Sequence, residues 1–149
     1  MTGARRTVVR IGLALLALTE VIVGGWAQVA PAGYYRAFPS AGHAWVALLP
    51  PYNEHLVRDV GSLSLALTFV LAVAAVVGEA RLARIALIAF AIYGVPHAVF
   101  HALHLEGFPP WDAWAQTAGL VLQLVLAVAV FLLTLRRGGQ ALVGTSSPQ

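Results

Sequence analysis

The chain has 149 residues, of which 60% are hydrophobic and 10% are charged. Soluble domains carry about 25% charged residues, so this composition excludes an ordinary soluble protein and predicts an integral membrane protein. All nine basic residues are arginine, and most lie in short clusters, so the high pI reflects membrane topology and does not indicate nucleic-acid binding. The absence of cysteine excludes disulfides and every metal site that depends on thiolate ligands.

Four apolar runs are long enough to cross a membrane as helices. They cover about residues 8–30, 55–77, 85–105 and 113–135, and at 1.5 Å per residue each suits a hydrocarbon core of about 30 Å. The first run is too long for a signal peptide and contains Glu20, so we interpret it as a retained span. Short loops between the others predict an all-α, up-down-up-down bundle within a single domain, residues 1–137.

The connections between the spans carry local signals of their own. The proline-rich and aromatic segment 31–54 predicts an ordered cap at the membrane surface, with a short helix or 3₁₀ turn near residues 42–49. Asn53 and Asp112 are predicted N-caps of the second and fourth spans. Pro96 predicts a kink inside the third span. Residues 138–149 are predicted to form a disordered cytoplasmic tail.

The arginines predict the orientation of the chain. Seven of the nine fall on one side if both termini and the loop after residue 77 are cytoplasmic; these are Arg5, Arg6, Arg10, Arg81, Arg84, Arg136 and Arg137. Arg36 and Arg58 fall on the other side. The sequence therefore predicts a multi-pass protein of the bacterial cytoplasmic membrane.

Three histidines at the end of the third span are the strongest chemical signal. His97, His101 and His104 follow an i, i+4, i+7 pattern, which places their side chains within roughly 40° on one helix face. On the second span, His55 and Asp59 repeat the i, i+4 spacing. Because imidazole and carboxylate are ligands for zinc, copper and non-haem iron, these five residues are predicted metal ligands in a pocket at the extracytoplasmic end.

Other polar residues are predicted to line or support that pocket, because polar groups facing lipid cost about 3 kcal/mol each. They are Glu54, Asp112, Gln116, Glu20, Gln123 and Tyr93. Glu20 lies near the middle of its span, where it is either a proton carrier or substrate contact, or a neutral group paired with Gln123 or Gln28. Gly24, Gly25, Gly61 and Gly119 indicate close helix packing.

Two further interpretations stay open beside the metal site. In one, the polar residues form a structural network, or dock a partner, in a non-enzymatic membrane subunit. In the other, the pocket holds the headgroup of a lipid or quinone, with Glu20 as proton donor. Haem fits less well, because bis-histidine ligation needs matched histidines on two facing helices. Membrane lipid, a second copy of the chain or a membrane partner protein are the expected partners.

Two stretches carry a resemblance to a known group of proteins. The segment Tyr-Asn-Glu-His-Leu-Val-Arg-Asp-Val-Gly at residues 52–61, and the histidines that follow Pro96, resemble small four-helix membrane proteins of bacteria that are loosely akin to the DoxX-like group. The opening Arg-Ile-Gly-Leu-Ala-Leu-Leu-Ala-Leu at residues 10–18 is similar as well. The resemblance implies a four-helix bundle in the cytoplasmic membrane and assigns no catalytic residue.

Overall fold

The computed structural model of the protein describes residues 3–49 and 51–135. Within these residues the chain is helical throughout, with no β-strand. The elements are α1 (Gly3–Val29), α2 (Pro31–Ala37), a 3₁₀ turn (Trp45–Leu48), α3 (Glu54–Val77), α4 (Ala80–Leu103) and α5 (Pro110–Leu135). The predicted tail and the arginines at 136 and 137 lie outside the described residues.

The four long helices confirm the predicted all-α membrane architecture. Each of α1, α3, α4 and α5 is long and apolar enough to cross a membrane. The largest interface joins α1 to α3; α4 packs against α5 and α3, and α5 also packs against α1. Consecutive long helices are therefore neighbours in a ring, as short connections require. The chain is a multi-pass membrane protein.

One half of this bundle is a closely packed apolar core. We call it the closed half; it comprises residues 3–17, 70–90 and 124–135. Its buried side chains are mainly aliphatic, with alanines that let the helices approach, and Phe90 closes its upper end. The buried members are Val9, Leu13, Leu16, Ala17, Leu71, Ala74, Ala75, Ala83, Ala86, Leu87, Phe90, Ala127 and Val130.

Two arginines tie helix ends together in the closed half. The guanidinium of Arg6 donates to the carbonyl oxygen of Val77 at 2.9 Å, beside Gly78, whose φ of 69° ends α3 in the left-handed conformation. Arg84 donates to the carbonyl oxygen and hydroxyl of Thr134 at 2.6 and 3.1 Å. Both bonds satisfy carbonyl groups that the ends of helices leave unpaired.

Glycine sets the separation of α1 and α3. A Cβ atom built on Gly24 would lie 2.9 Å from the carbonyl oxygen of Gly61, and one on Gly61 would lie 3.1 Å from the Cβ of Ala27. The predicted close packing is therefore confirmed at these two positions. The prediction of close packing is wrong for Gly25 and Gly119, because a Cβ atom built on either residue would meet no atom of a neighbouring helix within 4 Å.

The cap covers the other end of the bundle, which we call the cavity half (residues 18–29, 54–66, 91–103 and 110–123). The short helix or 3₁₀ turn predicted near residues 42–49 is confirmed as the 3₁₀ turn Trp45–Leu48. The helix α2, which begins at Pro31, was not predicted from the sequence. Asn53 is confirmed as the N-cap of α3, since its side chain accepts a hydrogen bond from the amide of Leu56 at 3.3 Å.

Three predicted boundaries are corrected. Only Gly78 and Glu79 separate α3 from α4, so that Arg81 and Arg84 lie within α4 rather than in a turn. The helix α5 begins at Pro110, because proline has no amide hydrogen to lose in a first helical turn. Asp112 is therefore inside the first turn of α5 and is not its N-cap.

Candidate functional site

A cavity of about 460 Å³ occupies the cavity half of the bundle. All four long helices and the cap contribute to its wall, and most of the lining is apolar. The polar lining residues are Glu20, Tyr34, Tyr35, Trp45, Asn53, Ser64, Tyr93, His97, His101, Gln116 and Gln123. The sequence-predicted pocket at this end of the bundle thus corresponds to a cavity that is lined by part of the predicted set together with residues that were not predicted.

The floor of the cavity carries a carboxyl and two hydroxyl groups. Glu20 is 5% exposed and lies about 13 Å from the end of α1 at 1.5 Å per residue. Ser64 is fully buried and lies beside both Glu20 and Tyr93. Its hydroxyl is the hydrogen-bonding neighbour of both groups, although neither contact has the geometry of a full hydrogen bond. The floor therefore presents polar groups that are not fully satisfied by one another.

Two of the three predicted histidines rise from this floor along α4. The ring of His97 stacks on Tyr93 with 5.2 Å between centroids, and the ring of His101 follows at 4.4 Å from that of His97. The ring of His101 lies beside the side chain of Gln116, and Nδ1 of His101 and Nε2 of Gln116 are buried without a hydrogen bond of full geometry in the described part of the chain. The upper wall thus holds polar atoms that are weakly paired and covered by their neighbours.

Aromatic rings of the cap form the opposite wall. Tyr34 and Phe38 lie 4.9 Å apart between ring centroids, and Phe38 meets Trp45 edge to face at 6.2 Å. Burial raises the pKa of the Tyr34 phenol far above its ordinary value, with smaller contributions from Tyr93 and Glu20. Tyr34 is therefore a neutral hydroxyl group above the floor at any physiological pH.

The charge of the lining is one-sided. Glu20 is the one carboxylate among the described residues that line the cavity, and no arginine lines it. Glu20 makes no ion pair within the described residues, where the ion pairs involve His43, Asp112, His55, Asp59, Arg58 and Glu54. The predicted pairing of Glu20 with Gln28 is wrong, since Gln28 donates to Ser62 and to the carbonyl oxygen of Arg58.

The predicted ligands on α3 lie outside the cavity. Nε2 of His55 is 3.2 Å from the carboxylate of Asp59, and these side chains are 81% and 59% exposed. The cavity face of α3 is instead formed by Leu56, Val57, Val60 and Ser64. At 100° per residue the centre of this face lies roughly 130° from the His55 and Asp59 side chains, so the predicted polar stripe points away from the cavity.

The remaining predicted residues divide between the cavity and its surroundings. Gln116, Gln123 and Tyr93 line the cavity as predicted. His104 follows the last residue of α4 and leaves its register; its Nδ1–H donates to the carbonyl oxygen of Phe100 at 2.7 Å. Glu54 instead accepts from Arg58 at 2.9 Å, at the surface.

Asp112 has a structural partner that the sequence analysis did not identify. Its carboxylate accepts a hydrogen bond from Nδ1 of His43 at 2.6 Å, and Asp112 is buried. His43 belongs to the cap. The bond fastens the cap to the start of α5 and thereby holds the aromatic wall over the cavity.

The structure does not bring the five predicted metal ligands together. His97 and His101 line the cavity, whereas His55, Asp59 and His104 do not. Among residues 3–49 and 51–135, no group of three or more histidine, aspartate or glutamate side chains is arranged to hold a metal ion. Metal binding, haem included, stays a prediction.

A groove on the outer surface between α3 and α4 adjoins the cavity. Its walls include Leu63 and Ile92, which are exposed on the lipid-facing side, and Pro96 of α4. Tyr93 and His97 line both the groove and the cavity. This stacked pair is therefore the partition between the cavity and the lipid-facing surface.

Sequence reasoning missed Ser64 and the aromatic wall. Ser64 lies on the i, i+4, i+7 stripe Val57–Gly61–Ser64, which a search for apolar and small residues would have found. The wall is formed by a cap that folds back over the bundle, and no local pattern encodes that return.

Comparison with known proteins adds no assignment to this geometry. No family model matches the chain, and no characterised protein or solved structure is detectably similar to it. The cavity is therefore the feature on which a functional assignment depends.

Proposed function

We propose that this protein binds a lipid-soluble amphiphile within the membrane, with the apolar part of the ligand in the cavity and its polar group at the floor. The observation that carries the proposal is a cavity of about 460 Å³ enclosed by four membrane-spanning helices and a cap. Ligand pockets of about 300–1,000 Å³ with mainly apolar walls and a few polar groups hold small organic molecules. A lipid or a quinone belongs to this class.

The polar groups of the wall support a bound ligand over an inert packing defect. Buried polar atoms in proteins are almost always hydrogen-bonded, and an unpaired one costs about 1–3 kcal/mol. Ser64, His101 and Gln116 line the cavity, and each holds such an atom covered by neighbouring atoms. A ligand with hydroxyl, carbonyl or amine groups would satisfy them once these side chains turn toward it.

Polar contacts join the helices both outside and inside the cavity. Gln28 with Arg58, Arg6 with Val77, and Arg84 with Thr134 connect helices outside it. Inside it, Ser64 lies beside Glu20 and Tyr93, and His101 lies beside Gln116. A structural role of these groups and ligand binding are therefore distinguished by whether the purified protein retains a ligand.

The proposal also specifies which side of the membrane the cavity half faces and how a ligand enters it. The arginine distribution predicts that the cavity half faces the extracytoplasmic side. The groove between α3 and α4 is the proposed entrance for an apolar ligand from the bilayer, because Tyr93 and His97 line both the groove and the cavity. Such a ligand would not have to cross water.

Native mass spectrometry of the protein purified in mild detergent tests the proposal. Wild-type protein should retain an amphiphile. The variant Gly119→Leu should lose it, since Gly119 lines the cavity and no atom within 4 Å would prevent the new side chain from filling it. The matched control is Gly25→Leu, where space is equally free but the residue does not line the cavity.

Equal retention by wild type and Gly119→Leu would contradict binding in the cavity, as would a folded wild type that binds no amphiphile even when lipid is added back. Circular dichroism and thermal unfolding of both glycine variants exclude loss of the fold as the cause.

A metal ion is the second candidate, and a specific observation favours it. The rings of His97 and His101 lie 4.4 Å apart at i, i+4 and both line the cavity, which is a common two-ligand arrangement for zinc or copper. Metal analysis of the purified protein beside His101→Ala tests it. Stoichiometric metal that the variant loses would support the candidate, and no metal in either protein would contradict it.

A further inference from the structure

We infer that the ligand of the cavity is a lipophilic cation, such as a quaternary ammonium ion or a protonated amine with apolar substituents, whose charge is paired with Glu20. The inference deepens the proposed function and rests on it. It depends on three observations: an unpaired carboxyl group at the floor, aromatic rings in the wall, and the absence of arginine from the described lining.

The first observation is the isolation of Glu20. An ionised carboxylate in the interior of a membrane protein is stable only with a partner of opposite charge, because its hydration is lost. Within the described residues the neighbours of Glu20 are the neutral groups Ser64, Tyr93 and Tyr34. Either a proton on the carboxyl group or a cation beside it removes the isolated charge.

The second observation is the aromatic wall. Tyr34, Phe38 and Trp45 form a continuous series of rings on the cap, and Tyr93 and Phe100 add rings from α4. The face of an aromatic ring attracts a cation within about 6 Å of its centre, most strongly where water is excluded. Aromatic rings around a carboxylate are the usual recognition chemistry for quaternary ammonium ions.

The third observation excludes the main alternative. A phospholipid or another anionic amphiphile requires arginine or lysine beside its charge. No arginine lines the cavity in the described chain, and the sequence has no lysine. Glu20 would repel a phosphate group. A neutral ligand would leave the carboxyl group without a charged partner, so the cation is the class that the cavity complements best.

Cation and proton compete for the same carboxylate in this scheme. When the cation binds, the carboxyl proton of Glu20 leaves to water, and when the cation leaves, a proton returns. The titratable groups that line the cavity together with Glu20 are Tyr34 and Tyr35 from α2, and Tyr93, His97 and His101 from α4; α3 and α5 contribute the uncharged Ser64, Gln116 and Gln123. A protonated His97 would repel the cation, so its protonation would weaken cation binding just as protonation of Glu20 does.

The test is equilibrium binding of tetraphenylphosphonium and of neutral triphenylphosphine oxide to detergent-purified protein. Wild-type protein should bind the cation more tightly, and Glu20→Gln should weaken cation binding about 30-fold or more and binding of the neutral compound much less. Cation binding by wild type should weaken as the pH is lowered, because protons compete for the carboxylate, and Glu20→Gln should remove most of that dependence. The control is Glu54→Gln, which removes an exposed carboxylate outside the cavity.

The outcomes separate this inference from the proposed function. Equal binding of both compounds, unaffected by Glu20→Gln, would overturn the cationic ligand and leave amphiphile binding intact. No binding of either compound, together with no retained amphiphile in native mass spectrometry, would overturn both. Because glutamine is nearly the same size as glutamate, Glu20→Gln should fold; Glu20→Asp, which keeps the charge, should retain cation selectivity and serves as the second variant.

Discussion

The two halves of the bundle are built on opposite principles. In the closed half, Leu13, Leu16 and Leu71 are fully buried and interlock with alanines of the neighbouring helices. In the cavity half, the same four helices enclose open space, and Glu20 and Ser64 stand where the closed half has aliphatic side chains. The same four helices are thus tightly packed in the closed half and surround a cavity in the cavity half.

This contrast shows where the stability of the protein resides. Packing and polar contacts hold a helical bundle together in lipid, because apolar surface gains little by leaving a solvent that is itself apolar. The closed half supplies the packing, and the α1–α3 contact at Gly24 and Gly61 extends it upward. The cavity half can therefore have fewer packing contacts between its helices and leave space for a binding site. Substitutions that separate the two halves test this division.

The largest effect is expected from a cavity created in the closed half. Leu71→Ala should lower the free energy of unfolding by about 3 kcal/mol, because a fully buried leucine is lost from a packed core. Leu120→Ala, which only enlarges an existing cavity, should cost less than about 1 kcal/mol. Unfolding in mixed micelles by sodium dodecyl sulfate measures both. Equal losses would contradict the division into halves.

A smaller effect is expected where glycine brings α1 against α3. Gly24→Ala should cost about 2 kcal/mol, since the new Cβ would lie 2.9 Å from the carbonyl oxygen of Gly61 and both atoms belong to rigid helices. The adjacent control, Gly25→Ala, meets no atom within 4 Å and should be neutral in the same unfolding assay. A neutral Gly24→Ala would show that the helices can separate at no cost.

The third largest loss of stability is expected from removing the hydrogen bond between His43 of the cap and Asp112 of α5. His43→Ala removes the hydrogen-bond partner of the buried Asp112 carboxylate, for an expected loss of about 1.5 kcal/mol. Limited proteolysis should then cut the segment 38–49 faster than in wild type. Asp112→Asn keeps an acceptor for His43 and should lose less. Unchanged proteolysis of His43→Ala would mean that this bond does not hold the cap.

The smallest effect is expected at the exposed pair on α3. His55→Ala and Asp59→Asn should each change the free energy of unfolding by less than about 0.5 kcal/mol, because exposed ion pairs contribute little. Neither should alter ligand retention or metal content. If either variant lost a bound ligand, α3 would present its other face to the site and the cavity would be wrongly assigned.

Much of the bundle could be predicted from the sequence because its signals are local. Hydropathy marks the four spans, since every residue facing lipid must be apolar. The side chain of Asn53 caps α3 through a bond only three residues away. His97 and His101 share a face because a helix fixes their angle, and both indeed line the cavity.

The site was predicted less well because helix rotation is a tertiary property. The rule that polar stripes point into the bundle holds at mid-membrane, where Glu20 and Ser64 are buried. It fails for His55 and Asp59, which lie within about 8 Å of the start of α3 and can reach the water interface. Near a helix end the cost of facing outward vanishes, so either face is allowed.

The sequence by itself determined the number of spans, the cap elements adjoining α3 and the presence of ionisable groups at one end of the bundle. The tertiary structure decided which of those groups share a chamber. Contact between α1 and α3 at Gly24 and Gly61 fixes the rotation of α3, and the bond from His43 to Asp112 brings the aromatic wall over Glu20. These contacts join residues about 40 or more positions apart, and no local pattern encodes which of them forms.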